Sequence, residues 1–396
     1  MRVIKGATTA EFRKMWGVQD EYEKKSRDNH IHHCIDAITI ACISTGEYNA
    51  TARYYQQLEE YERGRAEKPQ FSKPWPTFTE DIKAIEQELL VVHDTRDNML
   101  RPAKRHVKTS EGMKIQVSDS ARGSLHNDTY YGAIERDGEV QYVVRRQLSS
   151  FTSEKELESI VDEVVKEKVK AAVKQMGFKQ AMASDIFMNE EKGILIKKVR
   201  CFAKDVKNPI DIRHHRDVSK KEYKRQAHVK NDGNYMLAIY EAVIKGKKKR
   251  EFTLVKMIDA SGLLKASSVS DPANPIVPST SSSGYPLRWR LKTGLHVILY
   301  ETNSSEIDFS NKEDVVKRLY VVTGLNINST GNGYGAIVMR YHQEARMSKD
   351  VKAINGAYKN GEAHRASIVM LHTQFNALVE GIDFDINALG EIILKK

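Results

Sequence analysis

The sequence has little cysteine and no long apolar run in its 396 residues. Its three cysteines, Cys34, Cys42 and Cys201, form no Cys-x-x-Cys pair. This spacing argues against a zinc ribbon and a disulfide framework, and it fits a reducing compartment. The start of the chain lacks the apolar stretch of a signal peptide, and no later segment approaches the roughly twenty apolar residues of a membrane span. We therefore predict a soluble, cytoplasmic protein with no membrane partner.

Positive charge dominates the chain, which has a formal net charge of +10. The excess is clustered in two runs, RHHRDVSKKEYKR at 213–225 and KGKKKR at 245–250. Clustered Lys and Arg favour a phosphate backbone, because each neutralised phosphate releases counterions. The alternative for either run is a solvated loop. Two runs in one chain favour nucleic acid as the partner.

The first hundred residues carry mainly helical patterns. These patterns cover 9–16, 25–44, 49–68 and 79–91. Thr8 or Thr9 is a candidate N-cap for the first of them.

From residue 101 the patterns become mainly β. Two alternating runs at 130–136 and 139–145 are joined by Asp137-Gly138, which predicts a hairpin. One amphipathic helix is expected at 153–176. Further features are strands at 193–202, 235–245 and 251–258, a linker at 266–284, short strands from 285 to 340 and a basic helical stretch at 347–358. The predicted fold class is therefore a multidomain α+β protein.

A polar stripe, His32-His33-Cys34-Ile35-Asp36-Ala37, interrupts an apolar helical pattern at 31–43. Third neighbours on a helix share a face, so His33 and Asp36 point the same way. Asp is a hard oxygen ligand for magnesium or manganese, and His can take a proton from water. The pair therefore suits metal-dependent hydrolysis, while the alternative is a plain N–H···O contact.

This stripe belongs to a larger pattern. Trp16-Gly17, the charged segment 27–29 and the HHxxDA helix together resemble the third RuvC segment of the type II CRISPR RNA-guided endonucleases, the Cas9 family. The segment GSLHNDT at 123–129 is similar to the G-x-L-H-x-x-T loop of the compact type II-C branch. The resemblance is clear over residues 1–145 and fades to a general pattern beyond about 280.

The resemblance implies an RNase H-like nuclease whose two-metal site, with Mg²⁺ or Mn²⁺, cleaves the displaced, non-target DNA strand. Asp36 would be a metal ligand, His33 the general base or water-orienting group, and His32 a supporting residue. In the family, an Asp and a Glu from two earlier RuvC segments complete this site. Those segments, the HNH nuclease, the helical lobe and the bridge helix are not found here. We expect the carboxy-terminal part of such an enzyme, from a truncated or split gene, inactive alone.

The resemblance also divides the chain. Residues 1–116 would be the helical part of the RuvC domain, 117–280 a β-rich wedge domain that grips the repeat:anti-repeat duplex of the guide RNA, and 281–396 the PAM-interacting domain that contacts target DNA.

Two sets of binding residues follow from this division. The predicted phosphate-binding loop contains Arg122, Gly123, Ser124, His126 and Thr129. Its alternative is a polar turn before a hairpin. The candidates for reading the PAM, chosen because Arg suits guanine and Asn suits adenine, are Asn328, Asn332, Tyr334, Arg340, His342 and Arg346. For any one of them the alternative is a structural role.

Three interpretations stay open. The chain is the carboxy-terminal portion of an RNA-guided DNA endonuclease, or a non-catalytic nucleic-acid-binding module left by truncation. The third, an independent metallohydrolase built on His30, His32, His33 and Asp36, is disfavoured because one helix brings no more than two or three of these side chains to one ion.

Overall fold

The structure is a computed structural model that describes residues 3–19, 26–92, 100–121, 125–136, 138–206, 209–213, 226–231, 233–263, 276–327, 333–362, 364–387 and 390–395. The chain forms two compact units. One contains residues 1–97, 234–255 and 275–396, and the other contains 98–233 and 256–274. The three functional domains with boundaries at 116 and 280 stay a prediction.

Helices and strands both occur widely, which confirms the predicted mixed class. The α-helices among the described residues are α1 (Gly6–Met15), α2 (Ile31–Cys42), α3 (Thr45–Glu62), α4 (Phe78–Glu88), α5 (Glu163–Met176), α6 (Phe178–Ala183), α7 (Met257–Leu263) and α8 (Lys312–Arg318). The strands are β1 (Leu100–Thr109), β2 (Gly112–Ala121), β3 (His126–Arg136), β4 (Glu139–Arg146), β5 (Phe187–Asn189), β6 (Ile194–Leu195), β7 (Val199–Phe202), β8 (Ile210–Arg213), β9 (Gln226–Asn231), β10 (Asn234–Ile244), β11 (Lys247–Lys256), β12 (Leu287–Leu291), β13 (His296–Leu299), β14 (Leu319–Ile327), β15 (Gly335–Tyr341), β16 (Ile354–Asn355), β17 (Ser367–Leu371), β18 (Ala377–Val379), β19 (Phe384–Ile386) and β20 (Ile392–Leu394). In the part of the chain described here, no helix is long and apolar enough to cross a membrane.

Three of the four amino-terminal helices, α1, α2 and α4, share a small core rich in aromatic side chains. Phe12 and Trp16 from the end of α1 are fully buried and pack against Phe78 of α4. The Trp16 indole Nε1–H donates to the Ser72 carbonyl oxygen at 2.9 Å, so its one polar atom is satisfied. The predicted cap is wrong: α1 follows Lys5, which makes no side-chain cap bond, and Thr9 lies inside the helix.

The α3 helix depends on its first turn, because none of its residues is buried. The Ser44 hydroxyl accepts from the Glu47 amide at 3.2 Å, and the Glu47 carboxylate accepts from the Ser44 amide at 2.8 Å. These bonds form a capping box. The Ser44 hydroxyl also lowers the pKa of the Glu47 carboxyl.

We expect Ser44→Ala to destabilise the start of α3 by about 1 kcal/mol. Amide hydrogen exchange in its first turn should then be about fivefold faster, as measured by mass spectrometry. Ser44→Thr keeps the hydroxyl and serves as the control. Equal exchange in all three proteins would show that the capping box does not hold α3.

The first unit also contains eleven of the twenty strands among the described residues. One antiparallel sheet has the order β11-β10-β12, and a six-stranded sheet has the order β16-β17-β15-β14-β13-β18. One of the short strands predicted from residue 285 onward is β12, in which Trp289 and Leu291 are buried while Arg288 and Arg290 are exposed. The predicted helix at 347–358 is wrong. Ile354 instead pairs in parallel with Ile368 of β17, and this long-range pairing overrides local helix propensity.

The second unit contains a sheet of order β7-β4-β3-β9-β8, with α5 and α6 over a core that includes Leu157, Val169 and Cys201. The predicted β3–β4 hairpin is confirmed, with Arg136 opposite Glu139. The helix expected over 153–176 is shorter. It begins at Glu163, where the Asp162 carboxylate caps the Val165 amide at 3.2 Å, after a separate 3₁₀ segment.

Candidate functional site

The amino-terminal end of α2 is held by the segment after β15. The His30 amide donates to the Gln343 carbonyl oxygen at 2.8 Å, and the Ala345 amide donates to the Asp28 carbonyl oxygen at 2.8 Å. Between them, Asn29 forms an antiparallel bridge with Glu344. The HHxxDA helix is therefore positioned by residues more than 300 positions later, and no local pattern in the sequence reveals this pairing.

Three imidazoles lie together at the start of this helix. His33 is exposed, with its ring centroid 4.0 Å from that of His32 and 6.4 Å from that of His30. The His32 Nδ1–H donates to the Asn29 carbonyl oxygen one turn earlier, which fixes the orientation of its ring. His33 is thus exposed to solvent on α2, and the His32 ring lies against it.

Asp36 forms an ion pair with Arg13 of α1. The Arg13 side chain is 8% exposed and that of Asp36 is 25% exposed, so the pair is mostly withdrawn from water. Arg13 Nε–H also donates to the Gln19 side-chain oxygen at 3.0 Å. The candidate metal ligand is therefore held by a buried cation on a neighbouring helix.

The sequence prediction missed Arg13, although a signal for it existed. Thr9, Phe12 and Arg13 of α1, and Trp16 directly after it, follow helical spacing and are all buried. A guanidinium on such a face needs a buried partner, because an unpaired buried charge is costly.

The described residues include no cluster of three or more His, Cys, Asp or Glu side chains that could hold a metal ion. A single carboxylate is nevertheless compatible with Mg²⁺, which commonly uses one or two protein carboxylates and retains waters. The chemistry of Asp36 therefore fits one ligand position. Binding there requires the Arg13 guanidinium to share or release the carboxylate.

The predicted phosphate-binding loop is only partly described, since Arg122, Gly123 and Ser124 lie outside the described residues. His126 and Thr129 belong to β3, where the register shifts between His126 and Tyr130. In this irregular stretch Thr129 is exposed, and the His126 Nδ1–H donates to the Asn127 carbonyl oxygen at 2.7 Å.

Of the residues predicted to read the PAM, the four that the structure describes do not form one cluster. Asn328 and Asn332 lie outside the described residues. Tyr334 precedes β15 and lies near the His372 ring, whereas His342 and Arg346 follow the other end of this strand. Seven residues of strand separate these groups by roughly 20 Å. Arg340 lies between them, near the distal end of β15 and opposite Val321.

Two of these candidates already have protein partners. His342 is 1% exposed, and its Nδ1 accepts from the Val91 amide at 3.0 Å. Burial lowers the pKa of His342 to about 3, so it is neutral at physiological pH. Base reading by His342 is therefore wrong for this structure. Arg346 donates to both carboxylate oxygens of Glu344, at 2.8 and 2.7 Å, and this contact lowers the pKa of Glu344.

The basic run at 245–250 is a hairpin turn. Lys245 and Gly246 have φ values of 51° and 71°, which suit the tight turn between β10 and β11 and leave Lys247, Lys248 and Lys249 exposed. Arg250 points inward instead. It donates to Glu241 at 2.7 Å and to the Phe375 carbonyl oxygen at 2.7 Å. The run at 213–225 lies outside the described residues except for Arg213.

Comparison with known proteins identifies the amino-terminal quarter of the chain. Residues 1–99 match the family described as RuvC endonuclease subdomain 3. This segment contains α1 to α4, and thus both Arg13 and the HHxxDA helix. No curated protein matches the chain.

Solved structures extend the likeness to nearly the whole chain. Streptococcus thermophilus Cas9 in complex with the AGAA PAM matches 99% of this chain with 34% of its own, at 12% identity and a TM-score of 0.50. Campylobacter jejuni Cas9 with sgRNA and target DNA matches 100% of this chain with 34% of its own, at 12% identity and a TM-score of 0.36. Corynebacterium diphtheriae Cas9 with sgRNA and target DNA matches 86% of this chain with 37% of its own, at 14% identity and a TM-score of 0.35.

The first match indicates the class of protein: residues 1–99 are similar to the third subdomain of RuvC endonucleases. The chain as a whole has the fold of the carboxy-terminal region of a type II Cas9 nuclease, which confirms the resemblance seen in the sequence. It spans about a third of the length of the structures that it matches. Its assignment to the type II-C branch stays a prediction.

Proposed function

We propose that this chain is the carboxy-terminal portion of a CRISPR RNA-guided DNA endonuclease. It would contribute one part of the RuvC two-metal site and the surfaces that bind guide RNA and PAM-containing DNA. The observation that carries this proposal is the HHxxDA helix within a segment that matches RuvC subdomain 3. The Cas9 structures with sgRNA and target DNA support both nucleic acids as partners.

Three residues of α2 have distinct roles in this proposal. The Asp36 carboxylate would bind one Mg²⁺, with Mn²⁺ as a substitute, and the bound metal would polarise the scissile phosphate and activate water. His33, exposed three residues before Asp36, would orient the attacking water or accept its proton. His32 would position the His33 ring through its contact with the Asn29 carbonyl oxygen.

A complementation experiment tests the proposal. The chain is mixed with guide RNA, a matching DNA target, Mg²⁺ and an amino-terminal portion of the same enzyme that carries the first two RuvC segments and the HNH nuclease. We expect Mg²⁺-dependent cleavage of the displaced strand in the complete mixture and none when the chain is omitted. Absence of cleavage, despite assembly of both polypeptides on guide RNA, would contradict the catalytic part of the proposal.

The second candidate is a nucleic-acid-binding module without catalysis, which the Arg13–Asp36 ion pair favours because it holds the candidate ligand. Binding to structured RNA and duplex DNA should then weaken steeply with salt, in proportion to the number of phosphates contacted. Filter binding over a salt series measures this slope. Salt-dependent binding without cleavage in the complete mixture would favour the module, and binding that ignores salt would exclude it.

A further inference from the structure

The β1–β2 ribbon has an unusual surface for an element of the second unit. It is a separate two-stranded antiparallel sheet. Leu100 lies opposite Ala121 at one end, and Thr109 lies opposite Gly112 at the other. On one face β2 exposes Met113, Ile115 and Val117, at 63%, 60% and 68%. A row of large exposed apolar side chains marks an interaction surface rather than ordinary surface variation.

The facing positions of β1 are basic. Lys104 lies opposite Val117, His106 opposite Ile115, and Lys108 opposite Met113. Directly opposed residues in an antiparallel pair project to the same side, so these six side chains form one face. We call it the mixed face. These six residues include no carboxylate and all six are exposed, and the next pair on the same side of the ribbon is Pro102 and Asp119.

Charge decides which kind of partner this face fits. A second copy of the ribbon, packed face to face, would bring Lys104 and Lys108 against like charges in a self-complementary contact. A polyanion complements both lysines, and apolar side chains between them can contact bases or sugars. The mixed face therefore suits a nucleic-acid partner better than a second copy of the ribbon.

The shape of the ribbon favours duplex DNA over duplex RNA as the partner. A two-stranded ribbon fits the major groove of B-form DNA, which is about 12 Å wide. Ten residues of strand extend about 34 Å, close to one helical turn. The major groove of A-form RNA is too deep and narrow for side chains to read. The expected ligand is therefore duplex DNA.

We infer that the β1–β2 ribbon is a DNA-binding arm that enters the major groove, with Lys104 and Lys108 on phosphates and Met113, Ile115 and Val117 against thymine methyl groups. This inference rests on the proposed function only in taking target DNA as a partner. It adds a contact separate from the RuvC helix and from the candidates for PAM reading.

The test compares one lysine from each face of the ribbon, Lys108 and Lys114, of which Lys114 forms an ion pair with Glu111. Lys108→Gln removes a charge from the mixed face, whereas Lys114→Gln removes an exposed charge opposite Val107, on the other face. Binding of the full chain to a 25-base-pair DNA duplex is measured by fluorescence anisotropy over a salt series. Lys108→Gln should lower the magnitude of the slope of log K against log salt by about 0.9, and Lys104→Gln/Lys108→Gln by about 1.8. Lys114→Gln should leave it unchanged.

A second measurement tests the apolar row. Replacing thymine by uracil throughout the duplex removes only the methyl groups and should weaken wild-type binding by about fourfold for each methyl contacted. Ile115→Thr, which preserves strand propensity, should reduce this difference. For an RNA duplex of the same sequence, the ribbon variants and the wild type should bind equally.

Three results would overturn the inference. One is an equal loss of DNA affinity in Lys108→Gln and Lys114→Gln. Another is indifference of the wild type to thymine methyl groups. The third is a change of oligomeric mass in Ile115→Thr, by sedimentation, with DNA affinity unchanged. These results are separable from failure of the proposed function, because the complementation assay scores cleavage and the ribbon assay scores binding by this chain alone.

Discussion

Asp36→Asn is expected to reduce Mg²⁺-dependent cleavage of the displaced strand by about a thousandfold or more in the reconstituted enzyme. Asn has nearly the same shape as Asp, but it lacks the negative charge that a hard cation requires. A catalytic metal contributes several kcal/mol of transition-state stabilisation, and about 4 kcal/mol corresponds to a factor of a thousand. The measurement is the single-turnover cleavage rate at saturating Mg²⁺.

The control is Asp28→Asn, the same chemical change eight residues earlier. The Asp28 side chain is exposed, and its contact with Ala345 uses the backbone carbonyl, which the substitution keeps. We expect this variant to cleave at the wild-type rate. Guide RNA affinity should be unchanged in both variants. Retained cleavage in Asp36→Asn would show that Asp36 is not a metal ligand.

Because Asp36 also pairs with Arg13, a structural explanation for lost cleavage must be separated from a chemical one. Asp36→Asn leaves a mostly buried guanidinium without its counter-charge, at a cost of about 3 kcal/mol. Arg13→Gln/Asp36→Asn removes both charges and should recover most of this stability, since contacting residues are not additive. If the double variant regains stability but not cleavage, the loss is chemical. Regained cleavage would make Asp36 a structural residue.

Local sequence patterns predicted much of the secondary structure, because turn residues and the spacing of apolar side chains largely determine where helices and hairpins form. The Asp137-Gly138 turn between alternating strands gave the correct β3–β4 pairing, and the spacing of apolar residues located α2. The same reasoning failed at 347–358, where helix propensity competes with a parallel pairing to β17. Propensities are weak enough for one such tertiary contact to override them.

The candidate site was harder to predict, because its polar side chains have partners far away in the chain. The sequence placed His33 and Asp36 on one helix, but not the ion pair between Asp36 and Arg13, 23 residues earlier. Similarly, the sequence around His342 suggested an exposed side chain that contacts DNA bases. In the structure it is buried and its Nδ1 accepts from the Val91 amide, 251 residues away, and a single sequence contains no direct record of that contact.

The buried His342 leads to a second large effect, a loss of stability in acid. Burial is the main cause of its lowered pKa of about 3, and the charges of His296 and His364 lower the pKa further. Burial also lowers the pKa values of His364 and His372. In the unfolded chain such imidazoles titrate near pH 6.5. Between pH 6.5 and about 3 the unfolded state therefore binds more protons than the folded state.

The sign and size of the effect follow from this difference in proton binding. The stability that neutral His342 contributes is fully present above pH 6.5, and it is lost as the pH falls toward 3, by about 1.4 kcal/mol per pH unit. We expect His342→Asn, whose side-chain oxygen can replace Nδ1 as acceptor for the Val91 amide, to reduce this slope by about one proton between pH 4 and 6. Urea unfolding monitored by hydrogen exchange in β13 to β15 measures it within the first unit. Parallel slopes for wild type and variant would mean that His342 titrates alike in the folded and unfolded states, and would contradict its burial as a neutral acceptor.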